Sequence, residues 1–152
     1  MIRNPTIILA ILLALACLGV AGYKLSAPRY PSVHTQALSA CDPGEQVCSV
    51  PLAEGAQLTL SMEPRPIRPL RELTLKVAVT GLAARKIEVD FAGVDMGMGY
   101  NRHELSGSDG HFSGSAVLPV CITGSMKWQV TVLIGTDRGQ IAVPFHFDAS
   151  AR

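Results

Sequence analysis

The dominant pattern of apolar and polar positions has period two. Gln57–Met62 alternates, and Leu73, Leu75, Val77 and Val79 then share one face, as do Ile87, Val89 and Phe91. His103-Glu104-Leu105 leads to Ser108-Asp109-Gly110, a strong hairpin signal, and His111–Leu118 follows as a strand. Lys127–Ile134 is the most β-prone run, with Trp128, Val130, Val132 and Ile134 on one face. Asp137-Arg138-Gly139 turns into a last strand, Gln140–Phe147, where Pro144 predicts a sheet edge. About seven short strands separated by turns, with no amphipathic helix among them, predict an all-β domain over residues 56–149. The expected architecture is an immunoglobulin-like two-sheet sandwich. Periodicity does not determine strand order.

A different pattern opens the chain. Residues Asn4 to Tyr23 carry no charge, and Ile7–Val20 is almost wholly apolar. Twenty such residues in a helix reach about 30 Å, one hydrocarbon core. The run is read as an uncleaved signal anchor over residues 1–24, a transmembrane helix, because no small-x-small cleavage site follows it. Ala14-Leu15-Ala16-Cys17 fits a lipobox poorly. Anchor or cleaved signal alike would place the remainder outside the cytoplasm. The expected location is the inner membrane, single-pass, with the carboxy-terminal domain periplasmic. Residues 25–55 hold Pro28, Pro31 and Pro43 and no sustained period, and read as an extracytoplasmic linker.

Cysteine usage agrees with export. Cys41 and Cys48 flank a loop with a Pro43-Gly44 turn, and a disulfide there would contribute roughly 2–2.5 kcal/mol by loop closure. Cys121 is then left over, as a buried passenger, a ligand or a partner for another chain.

Charge excludes more than it suggests. The 152 residues carry 13 Lys and Arg against 12 Asp and Glu, so setting aside Arg3 leaves a neutral domain. A nucleic-acid binder would present a basic face, and none is expected here. No phosphate loop, His-Glu-x-x-His or nucleophile elbow occurs, so an enzyme is not the expected class. Glu63–Arg71 holds three prolines and Arg65, Arg68 and Arg71. It reads as a solvated inter-strand loop, with an anion- or lipid-facing sensor as a further alternative.

Asp95-Met96-Gly97-Met98-Gly99 is the least ordinary stretch. In an extended backbone both thioethers would face one way, and thioether sulfur suits Cu(I). Cys121 and Met126 bracket a turn after another strand, and His103 lies five residues beyond Met98. If these connections share one end of the fold, they would assemble a thioether, thiolate and imidazole cluster. Plain structural roles compete with that reading. Met96, Met98 and Met126 can be apolar plugs, Cys121 a small buried hydrophobe, and His103 a surface residue at a strand start.

Asp95–Gly99, Gly110-His111-Phe112-Ser113-Gly114, Leu118-Pro119-Val120-Cys121 and Gly124–Val130 together resemble the membrane-anchored YtkA-like and FixH-like extracytoplasmic proteins. The likeness spans roughly residues 58 to 147 by motif order. It implies a β-sandwich, a role in copper handling or haem-copper oxidase assembly, and Met96 and Met98 as the residues of interest. The Met-Pro pair frequent in that family is absent here, and Cys41, Cys48 and Cys121 are not general family marks. The expected function is therefore Cu(I) binding and delivery, or oxidase assembly. Met96 and Met98 would hold the metal, with Cys121, Met126 or His103 completing the site. Membrane lipid would be met by the helix, and a copper chaperone or oxidase subunit by the domain. The alternative is a metal-free interaction module of a membrane complex.

Overall fold

The computed structural model describes residues 5–26, 32–97, 99–119 and 125–150. The chain divides into two compact units, Met1–Tyr30 and Pro31–Arg152. The first holds one α-helix, α1 (Pro5–Ser26), about 33 Å long at 1.5 Å per residue. Its described side chains are those of residues 8, 9 and 11–19. The large aliphatic ones among them are exposed. Among the described residues, no helix is long and apolar enough to cross a membrane.

The second unit is mostly β. Its strands are β1 (Val33–Thr35), β2 (Cys48–Pro51), β3 (Gln57–Glu63), β4 (Glu72–Thr80), β5 (Lys86–Gly93), β6 (Arg102–Ser108), β7 (His111–Val117), β8 (Ser125–Thr136) and β9 (Gly139–Ser150). Burial follows the alternation along them. Leu58, Leu60 and Met62 of β3, Leu73 to Val79 at every second position of β4, and Ile87, Val89 and Phe91 of β5 are all buried. One hydrophobic core collects these faces around Trp128, Phe145 and Phe147.

The nine strands form one curled mixed sheet in the order β1-β9-β8-β5-β6-β7-β4-β3-β2. The curl is made at β6. Its first half pairs with β5 from Arg102 to Leu105, and its second half pairs with β7 from Ser106 to Ser108. Gly107 sits where the strand changes partner. A Cβ there would lie 2.0 Å from the His111 carbonyl oxygen and 2.6 Å from the Phe112 Cα, so only glycine fits the crossing.

Nine strands replace the expected seven because the segment read as a linker, 25–55, supplies two. β1 is three residues long, fully exposed, and held by backbone pairing to β9, so it leaves no hydrophobic period. β2 is four residues long with Cys48 buried, and pairs with β3. The compact unit accordingly starts at Pro31 rather than at residue 56. Pro144 lies beyond the β1 pairing on β9. Its missing N–H costs no ladder bond on that side, while its carbonyl accepts the Ser39 N–H at 3.0 Å.

The chain comes into this unit beside the β8–β9 turn, where Gln140 N–H donates to the Ser32 carbonyl. The connections β3–β4, β5–β6 and β7–β8 lie at the other end, called here the far end.

Candidate functional site

The far end is assembled by backbone bonds. β5 and β8 are in register as far as Gly93 opposite Trp128, and Val94 N–H donates to the Lys127 carbonyl at 3.0 Å. The Met–Gly loop therefore leaves the sheet beside the start of β8. Its return arm, Gly99 to Asn101, lines a shallow cleft of about 390 Å³ with Val117 and Pro119 from the end of β7. Leu70 N–H donates to the Leu118 carbonyl at 2.9 Å, which brings in the β3–β4 connection. Arg65 Nε–H reaches the Pro43 carbonyl at 3.4 Å, which brings in the Cys41–Cys48 loop.

That loop is closed by the expected disulfide, with Cα atoms 5.8 Å apart. Asp42 shapes it. Its carboxylate accepts the Gly44 N–H at 2.7 Å, and its carbonyl accepts the Glu45 and Gln46 N–H groups.

Of the five residues expected to hold metal, three are described, and each has a different setting. Met96 is at the surface, 37% exposed, in the loop beyond β5. Met126 is buried at the start of β8 as part of the core, the gap-filling place available to a methionine. Met98 and Cys121 lie outside the described residues.

His103 is half-buried on β6, opposite the buried Val89. Its Nε2 is 2.7 Å from Asn101 Oδ1, and its ring meets Phe91 edge-on with centroids 6.2 Å apart. Register measures its separation from the sulfurs. His103 is level with Val89, Val89 is level with Val132, and Met126 lies six residues further along β8. Six residues are about 20 Å of strand, and two strand spacings add about 10 Å sideways. His103 and Met126 therefore serve no common ion. The sequence distance of five residues from Met98 hid this, because it counts a loop and not a place in the sheet.

Arginine and aromatic chemistry surrounds the loop. The Arg102 guanidinium stacks over Tyr100 at 5.4 Å and stands 3.7 Å from Asp90. Tyr100 itself is 82% exposed. Arg65, Arg68 and Arg71 line a separate cavity of about 220 Å³ with Pro64, Pro66 and Leu73. The Pro/Arg-rich break between two strands carries the alternative of an anion- or lipid-facing patch, and its three arginines line one cavity. The exposure of Tyr100 has no sequence signal. Among the described residues, no group of three His, Cys, Asp or Glu side chains is placed to hold a metal ion.

No protein-family model matches the chain, and no curated protein is similar to it.

Proposed function

We propose that this protein is a membrane-anchored, extracytoplasmic accessory factor that binds Cu(I) at the far end of an immunoglobulin-type sandwich. It would pass the ion to a copper chaperone or an oxidase subunit, as the YtkA-like and FixH-like resemblance suggests. The observation that carries the reading is the Gly93–Trp128 register with its Val94–Lys127 bond. These set Val94, at the start of the Met–Gly loop, beside Lys127 near the start of β8, and Cys121 precedes β8 in the sequence. Met96 and Met98 are the primary ligands, and Cys121 is the third. Met126 supports them from the core, and His103 is no longer a candidate partner for it. Thioethers bind copper without losing a proton, and an exposed pair exchanges it readily.

Other features support the setting. An intramolecular disulfide suits an oxidising compartment. The support for the anchor is sequence alone: the run from Asn4 to Tyr23 is uncharged. The pairings β4–β7 and β5–β8, each skipping two strands, support the immunoglobulin type over a simple meander.

The test is Cu(I) titration of the full chain, held in zwitterionic detergent, against a competing chelator. Met96→Leu plus Met98→Leu should lower affinity at least tenfold while costing less than about 1.5 kcal/mol of stability. Equal binding by the double variant and the wild type refutes the assignment. Loss in Cys121→Ser alone moves the site to the β7–β8 connection.

A further inference from the structure

We propose that the far end is a docking face for a protein partner that presents a carboxylate beside apolar side chains. The carboxylate's seat is the cavity formed by Arg65, Arg68 and Arg71. This goes beyond the copper reading and does not require it.

Three arginines line a concavity of about 220 Å³ together with Pro64, Pro66 and Leu73. None of the three is in an ion pair among the described residues. Glu63 and Glu72, at the ends of the flanking strands, are exposed and leave them unpaired. Arg65 is the anchored member. Its Nε–H is directed to the Pro43 carbonyl, and its Nη2 is buried with no partner among the described residues. A buried, unpartnered Arg65 Nη2 beside two exposed arginines favours an oxyanion with planar geometry, because arginine donates in a fork that matches a carboxylate.

The apolar surroundings select a peptide over a free anion. Outside α1, eight large apolar side chains are exposed among the described residues, and six of them lie at the far end. These are Val47, Leu70, Val94, Met96, Tyr100 and Val117, drawn from four connections that the backbone bonds above tie together. Leu70 is 67% exposed and is held at φ 58° between Arg68 and Arg71. Its exposed side chain adds apolar area beside the arginine cavity that a partner would cover. Inorganic phosphate has no use for it. Arginine, methionine and an aromatic ring around a charged seat match the composition of protein interfaces. The chain comes into the unit at the opposite end, nine residues of β9 from the level of Met126, or about 30 Å.

The experiment uses the full chain in phosphatidylcholine nanodiscs. The probes are a short peptide alternating glutamate and leucine, its glutamine-for-glutamate analogue, inorganic phosphate, and vesicles containing phosphatidylglycerol. The expected result is saturable binding of the acidic peptide, at least tenfold weaker for the glutamine analogue and for Arg68→Gln plus Arg71→Gln. Both residues are exposed, so this variant should fold. Leu70→Asn, which tolerates the backbone conformation, should weaken the peptide severalfold and leave any phosphate binding unchanged. Equal binding of the two peptides overturns the proposal. So does phosphate binding without peptide binding, vesicle flotation without peptide binding, or no binding of any probe. Copper affinity should be unchanged in Arg68→Gln plus Arg71→Gln, so this proposal and the copper reading fail separately.

Discussion

Reducing the Cys41–Cys48 disulfide should destabilise the β unit by about 2.5 kcal/mol. The bridge spans seven positions and closes a loop of eight residues. Loop-closure entropy for eight residues is about 8.3 cal/mol/K, or about 2.5 kcal/mol at 25 °C. Reduction leaves both sulfurs in place, so the buried Cys48 keeps its packing in the core and the entropic contribution is isolated. The unit from Pro31 to Arg152 has an unfolding entropy near 0.26 kcal/mol/K by the usual per-residue value, which converts this loss to about 10 °C in Tm. Trp128 is the only tryptophan and is 1% exposed in the core, so its fluorescence reports the melting of this unit alone. The assay is a thermal melt followed at Trp128 with and without reductant. A shift under about 2 °C would mean that the Asp42 turn, with its Gly44, Glu45 and Gln46 bonds, already holds the loop closed in the unfolded chain. A shift above about 20 °C would mean that the bridge holds native packing together and that the entropic account is wrong.

Core and surface changes give further outcomes. Met126→Ala should cost about 2–4 kcal/mol, and Met126→Leu under about 1.5, measured by urea denaturation, because the side chain fills the core at the far end. Gly107→Ala should cost about 3 kcal/mol, since its Cβ would lie 2.0 Å from backbone at the β6 crossing, and loss of amide protection should concentrate in β6 and β7. Hydrogen bonds from the Arg85 guanidinium, then its charge, hold the Asp137 carboxyl below the usual carboxylate range. A depressed carboxylate pKa gives stability that is present above about pH 4 and lost as pH falls through the lower folded value. Both groups are exposed, so Asp137→Asn should leave Tm nearly unchanged at neutral pH and in high salt.

β3, β4, β5 and β7 were legible because each buries one face and shows the other to water. That condition turns geometry into a period of two, as with Leu73, Leu75, Val77 and Val79. β1 and β2 were illegible for the converse reason. Val33, His34 and Thr35 are all exposed and pair through backbone alone, so their side chains are under no patterning constraint. Pro144 misled only in degree. It marks the side of β9 where a three-residue partner ends, so the edge is real but partly covered. The disulfide was legible because Pro43-Gly44 predicts the turn that brings its ends together.

The meeting of the loops was also contained in the sequence, in the parity of the strands. When successive strands run antiparallel, every second connection emerges at the same end. The connections β3–β4, β5–β6 and β7–β8 are each two strands apart, so they must share an end whatever the order across the sheet. The pairings β3–β4, β5–β6, β6–β7 and β8–β9 are all antiparallel and meet that condition. β4–β7 and β5–β8, also antiparallel, close the sheet without breaking it. Strand order is needed only to decide which loops are neighbours at that end, and this periodicity could not supply. Register, not parity, separates His103 from Met126: His103 is level with Val89 and Val132, six residues along β8 from Met126. A ligand search along sequence cannot make that separation, because His103 and Met126 are each the second residue of their strands and only the register between β6, β5 and β8 sets them apart.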